Sequence, residues 1–151
     1  MYHSILVPTD GSETAIAAAR EAASLAEAVG AARIHVVYVI DEGAVSLLFS
    51  DQRLSDLLEL LTEEGGAATN TTADAIEAGG VEVVTDVIRG MRVNEALIEY
   101  AHEHGVDLVV MGTNGRHGIE YLLGSTTERL LAKSDLPVLV ISRAYREKSG
   151  E

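Results

Sequence analysis

The chain has 151 residues, 47% of them hydrophobic, which suits one domain with a sizeable core and excludes a disordered chain. It has no cysteine, which removes disulfides, thiolate metal sites and thiol catalysis. Its 24 acids against 11 bases, a formal charge of −13, argue against nucleic acid and anionic membranes as partners.

Taken in chain order, Ser4-Ile5-Leu6-Val7 reads as a short apolar strand. Ser12 to Val29 is alanine-rich, with Ile16, Ala19, Ala23, Ala26 and Val29 at helical spacing, and Gly30 closes it. Arg33 to Ile40 is a β-branched second strand. Asp41 to Asp51 carries Val45, Leu47, Leu48 and Phe49 without clear periodicity and reads as a loop, packed on its own domain or open to a partner.

Gln52 to Ala78 reads as a helix with Leu54, Leu57, Leu58 and Leu61 on one face. Gly65-Gly66 interrupts it at a cost of about 2 kcal/mol relative to alanine, and ATNTTAD is weak helix material, so a kink or break is expected there. Val81 to Ile88 is a third strand, Asn94 to His104 a helix ended by Gly105, and Val106 to Met111 a fourth strand. Ser125 to Ser134 is a last helix and Pro137 to Ile141 a fifth strand. Residues 1–143 read as one domain and 144–151 as a loose charged tail.

Strands alternating with helices imply a parallel sheet covered on both faces. Ligands of such sheets bind where strands end at their carboxyl side. Two loops therefore matter: Pro8-Thr9-Asp10-Gly11-Ser12 after the first strand, and MGTNGRHGIEYLLGSTT after the fourth. In the second, Gly112, Gly115, Gly118 and Gly124 precede a helix entered through Ser125 and Thr126. Glycines let backbone N–H groups approach phosphate oxygens, and a helix N-terminus adds free donors and a favourable dipole. The alternative needs no ligand: Ser125-x-x-Glu128 is a capping box, and Asp10-x-x-Glu13 would cap the first helix in the same way. The sequence contains no Walker G-x-x-x-x-G-K-[ST] and no G-x-G-x-x-G after the first strand. His102 and His104, two apart on a helix, point to different faces, and no nucleophile–base pair or carboxylate dyad has persuasive spacing.

The stretches ILVPTDGSETA, HVVYVID, GVDLVVMGTNGRHG, LLGSTTERLL and SDLPVLVIS together make the chain resemble a universal stress protein over nearly its whole length. The resemblance implies an α/β, Rossmann-like fold, a five-stranded parallel sheet of order 3-2-1-4-5 with helices on both faces. It also implies a homodimer through the last strand, Pro137 to Ile141. One branch of that family binds ATP with the pattern G-x2-G-x9-G-[ST]; another lacks the pattern and binds no nucleotide. The ATP-binding branch is the better fit. Carried over, Pro8, Thr9 and Asp10 fall near adenine and ribose, and Val39 offers a backbone contact to adenine. Met111, Gly112 and Gly115 form the turn over ribose and phosphates, and Gly124, Ser125 and Thr126 the phosphate end. One departure is that Arg116 to Leu123 supplies eight residues where the pattern has nine, which puts the triphosphate geometry in question.

The resulting expectation is a cytoplasmic, dimeric ATP-binding stress protein that senses or regulates, with Mg2+ accompanying the nucleotide, and no membrane span or signal peptide. The alternatives are an interaction module of the same fold that does not bind ATP, and a slow ATPase. The last is disfavoured because no lysine or base stands ready for phosphoryl transfer. Excess acids, many alanines and only two lysines, Lys133 and Lys148, read as adaptation to high salt, as in a halophile.

Overall fold

The computed structural model describes residues 2–48, 51–113 and 124–148, the side chain of residue 51 excepted. Five strands form one parallel sheet of order β3-β2-β1-β4-β5. They are β1 (Ser4–Pro8), β2 (Arg33–Asp41), β3 (Glu82–Gly90), β4 (Leu108–Gly112) and β5 (Val138–Ile141). The apolar runs that signalled strands are those buried on both faces: Ile5, Leu6 and Val7 are all fully buried.

Alternate strand residues feed two cores. Ile5, Val7, Ile34, Val36 and Val110 pack under α1 (Glu13–Val29), whose Ala18, Ala19, Ala22 and Ala26 allow close approach. Leu6, Val37, Val109 and Met111 pack on the other face under Leu97, Tyr100 and Ala101 of α4 (Val93–Glu103) and Leu130 of α5 (Ser125–Lys133). Helix α1 ends as its sequence suggests, on Gly30 at φ 72°, a left-handed cap that favours glycine.

Three segments differ from expectation. The stretch after β2 contains a helix, α2 (Glu42–Leu48), because Asp41 Oδ1 accepts the Ala44 N–H at 3.0 Å and starts it. Phe49 lies outside the described residues. Helix α3 (Asp51–Asp74) runs unbroken through Gly65-Gly66. A Cβ on Gly65 would stand 2.6 Å from Tyr38 Cδ1 and 3.0 Å from Val87 Cγ1, so the glycine is what lets α3 sit close to the sheet. Its weak threonines adapt by bonding back one turn: Thr62 to Leu58 O, Thr69 to Gly66 O and Thr72 to Ala68 O. Finally, the tail is not loose over α6 (Arg143–Lys148). Arg146 Nη1 reaches Glu13 at 2.8 Å and Tyr145 Oη reaches Glu21 at 3.2 Å, which lays α6 along α1.

Candidate functional site

The carboxyl ends of β1, β2 and β4 meet at the switch point of the sheet. β1 ends at Pro8, level with Val37 of β2. The Thr9 N–H then donates to Val37 O at 2.9 Å. In a parallel strand the N–H and C=O of one residue face the same neighbour, and the side alternates along the chain. Val39 therefore directs its N–H and C=O to the β1 side as Val37 does, but past the point where β1 has ended. That residue brings a donor and an acceptor, side by side, to the mouth of the site beyond the last β1–β2 pair, Pro8 with Val37.

The turn after β1 is held by its own side chains. Thr9 Oγ1 accepts the Gly11 N–H at 2.9 Å and lies 2.7 Å from Thr72 Oγ1, whose own proton goes to Ala68 O. Gly11 takes φ 80°, which glycine allows. Asp10 Oδ1 accepts the Ser12 N–H at 2.9 Å, and Ser12 Oγ accepts Ala15 N–H at 3.3 Å as the N-cap of α1. The Asp10–Glu13 cap expected from the sequence is thus corrected. A serine two residues closer to the helix has the extended backbone a cap needs, and Asp10 braces the turn before it.

The end of β4 is clamped from three directions. Met111 is buried and Gly112 packs so tightly on α1 that a Cβ there would stand 2.9 Å from Thr14 Cβ. Thr127 Oγ1 donates to Gly112 O at 3.1 Å, Thr113 N–H to Ile141 O, and Gly124 N–H to Thr113 O. Gly124 is the N-cap of α5, with φ −65° and ψ 154° and no side-chain cap bond. The Ser125–Glu128 capping box is therefore also corrected: Ser125 is the first helical residue and is exposed, Thr126 is half-buried, and Thr127 points inward. Its Gly124 needs glycine for space, not for a positive φ, since a Cβ would stand 3.0 Å from Thr113 O. The structure thus brings Pro8, Thr9, Asp10, Val39, Met111, Gly112, Gly124, Ser125 and Thr126 to one end of the sheet. Gly115 and the eight-residue segment Arg116 to Leu123 lie outside the described residues.

Thr127 and Ser12 were not anticipated from the sequence. Each is a hydroxyl residue one or two places beyond the one whose spacing drew attention, and only the cap positions reveal them. A groove of about 230 Å³ lined by Gly11, Glu64, Ala67, Ala68 and Thr71 opens on the α3 side of the β1–α1 turn. It is across the sheet from the face that carries Met111. Among the described residues no three His, Asp or Glu side chains gather to hold a metal ion, and no helix is long and apolar enough to cross a membrane.

The pattern of the universal stress protein family matches residues 1–142. The chain belongs to that family. Universal stress protein MJ0531 of Methanocaldococcus jannaschii is 35% identical over 148 residues, covering 97% of this chain and 86% of its own. Universal stress protein MJ0577 of the same organism is 33% identical, covering 95% of this chain and 96% of its own. The solved structure of MJ0577 superposes with a TM-score of 0.81 over 95% of this chain and 97% of that one. That of universal stress protein UspA from Lactobacillus plantarum gives 0.77 at 28% identity, over 93% and 97%. The sheet order expected of a universal stress protein is the order observed.

Proposed function

We propose that this universal stress protein binds a nucleotide, ATP in the first instance, at the carboxyl ends of β1, β2 and β4. The observation that carries this reading is the position of Val39, whose backbone faces the β1 side beyond the last β1–β2 pair. One N–H and one C=O side by side match the acceptor and donor on the edge of an adenine ring. Asp10, half-buried at the next turn, stands where a ribose hydroxyl would follow. The first turn of α5, with no side-chain cap, then offers N–H groups to phosphate oxygens.

The nucleotide is a held ligand in this reading, and the protein a dimeric sensor or regulator rather than an enzyme. The chain's own residues orient the base, ribose and phosphates, and Mg2+ would arrive with the nucleotide. Dimerisation through β5 is part of the proposal. It rests on β5 being an edge strand with Leu139 38% exposed and only β4 as its neighbour among the described residues.

The test is to purify the protein, release bound small molecules with acid and separate them by chromatography, then titrate the stripped protein with ATP, ADP and adenosine in a calorimeter. Bound nucleotide and heats in the order ATP, ADP, adenosine are expected. No nucleotide and no heat with any of the three would replace this reading by an interaction module. Steady turnover of ATP would replace it by an ATPase.

A further inference from the structure

A buried polar cluster lies beneath α4, apart from the candidate nucleotide site. His35 projects from β2 toward α4 and is only 2% exposed. Its Nδ1 stands 3.0 Å from Tyr100 Oη, and Tyr100 Oη donates to Asp86 Oδ2 of β3 at 2.9 Å. With the phenol proton committed to the carboxylate, the phenol oxygen accepts. His35 therefore carries its proton on Nδ1 and keeps a lone pair on Nε2. That Nε2 is buried and has no hydrogen-bond partner among the described residues. His104, at the end of α4, lies flat on Tyr100 with ring centroids 3.8 Å apart, and edge-on to His35 at 5.4 Å. Its Nδ1 donates to Tyr100 O at 2.9 Å, and its ring is the exposed member of the group.

We propose that this cluster is an acid-sensitive latch, in which proton uptake at His35 releases α4 from the β2–β3 side of the sheet. In the neutral state a buried acceptor is without a hydrogen bond among the described residues. After protonation the same atom is a buried cationic N–H with no acceptor, a far costlier arrangement. The charged groups facing His35 divide in sign. Asp86 and Glu82 from β3 favour the cation; His104 from the end of α4 and Arg33 from β2 oppose it. Arg33 and Glu82 pair with each other at 2.9 Å and largely offset. On the β1 side the register neighbour is Leu6, which carries no charge. Burial is the largest influence and pushes the His35 pKa below its ordinary 6.5. Burial, then the bond to Asp86, pushes Tyr100 upward, so the phenol keeps its proton throughout.

The sign follows. A histidine whose folded pKa is lowered binds fewer protons folded than unfolded. Its contribution is complete above 6.5 and is lost as pH falls from 6.5 toward the folded value. The loss falls on α4, whose Leu97, Tyr100 and Ala101 share a core with Val37 and Met111.

Amide hydrogen exchange across α4, with α1 as internal reference, tests the latch between about pH 7.5 and pH 5. In the unaltered protein the opening constant of α4 should rise relative to α1 by up to about tenfold per pH unit below 6.5. His35→Asn, which keeps a donor for Tyr100 and cannot titrate, should flatten that slope, whereas His104→Asn should keep it. An α4 opening constant that tracks α1 over the whole range, or a slope that persists in His35→Asn, overturns the proposal. If His35→Asn does not fold, nitrogen NMR of the imidazole rings in the unaltered protein decides. An Nδ1–H tautomer titrating below 6.5 together with the α4 amides supports the latch; an Nε2–H tautomer, or a midpoint at or above 6.5, refutes it.

Discussion

Thr9 has its hydroxyl committed twice, to the Gly11 N–H and to Thr72, so its part in the site is to shape the turn. Thr9→Val should leave buried polar groups unpaired and lower stability by about 1–3 kcal/mol, seen in urea unfolding. Asp10→Asn keeps the oxygen that accepts from Ser12 and removes the charge. It should leave the unfolding midpoint in place while weakening adenosine and ATP alike by calorimetry, since both share the nucleoside. Ser125→Ala should change stability by less than about 0.5 kcal/mol, because Gly124 occupies the cap, so any loss appears in phosphate affinity. At this scale the sequence was legible in which residues gather and illegible in their local jobs. Neighbouring residues competed for each cap, and backbone angles, which spacing does not encode, chose Ser12 over Asp10 and Gly124 over Ser125.

Helix α3 shows why propensity misjudged an element whose existence was plain. The paired glycines read as a break, yet Gly65 alone faces the sheet, against Tyr38 and Val87, while Gly66 has nothing within 4 Å of a Cβ position. The two should respond oppositely to alanine. Gly66→Ala should stabilise by about 0.5–1 kcal/mol through the chain's lost freedom. Gly65→Ala gains the same propensity but drives a methyl into the Tyr38 ring, and should lower the melting temperature. Equal stabilisation by both would show that α3 can move off the sheet at no cost. The five strands and the long helices were legible because burial on one stripe or two faces leaves a periodic trace. Helices α2 and α6 were not. Seven and six residues long, with no buried residues, they are held by Asp41 and by an ion pair and a hydrogen bond to α1, which leave no such trace.

Over the whole molecule, a formal charge of −13 means that compactness is opposed by self-repulsion. Raising KCl from low to molar shortens the range of that repulsion to about 3 Å, and the melting temperature should rise. A flat or falling value would remove the reading of salt adaptation and leave the fold as it is. The same repulsion opposes the proposed dimer, which should dissociate more readily in dilute salt. Leu139→Lys is the discriminating change at β5, since Leu139 is exposed and its replacement should yield folded monomers in sedimentation. Ile141 is 6% exposed and belongs to the α1-side core, so a lysine there would test folding instead.

The bond from Gly124 N–H to Thr113 O has a meaning beyond its local geometry. It ties the residue after β4 directly to the N-cap of α5, so strand and helix are clasped to each other by backbone. Thr127 on Gly112 and Thr113 on Ile141 fasten the clasp to α5 and β5. Inserting one residue between Arg116 and Leu123 should therefore leave the unfolding midpoint unmoved and change ATP affinity alone, because the bonds that hold β4, α5 and β5 together lie outside that stretch of sequence.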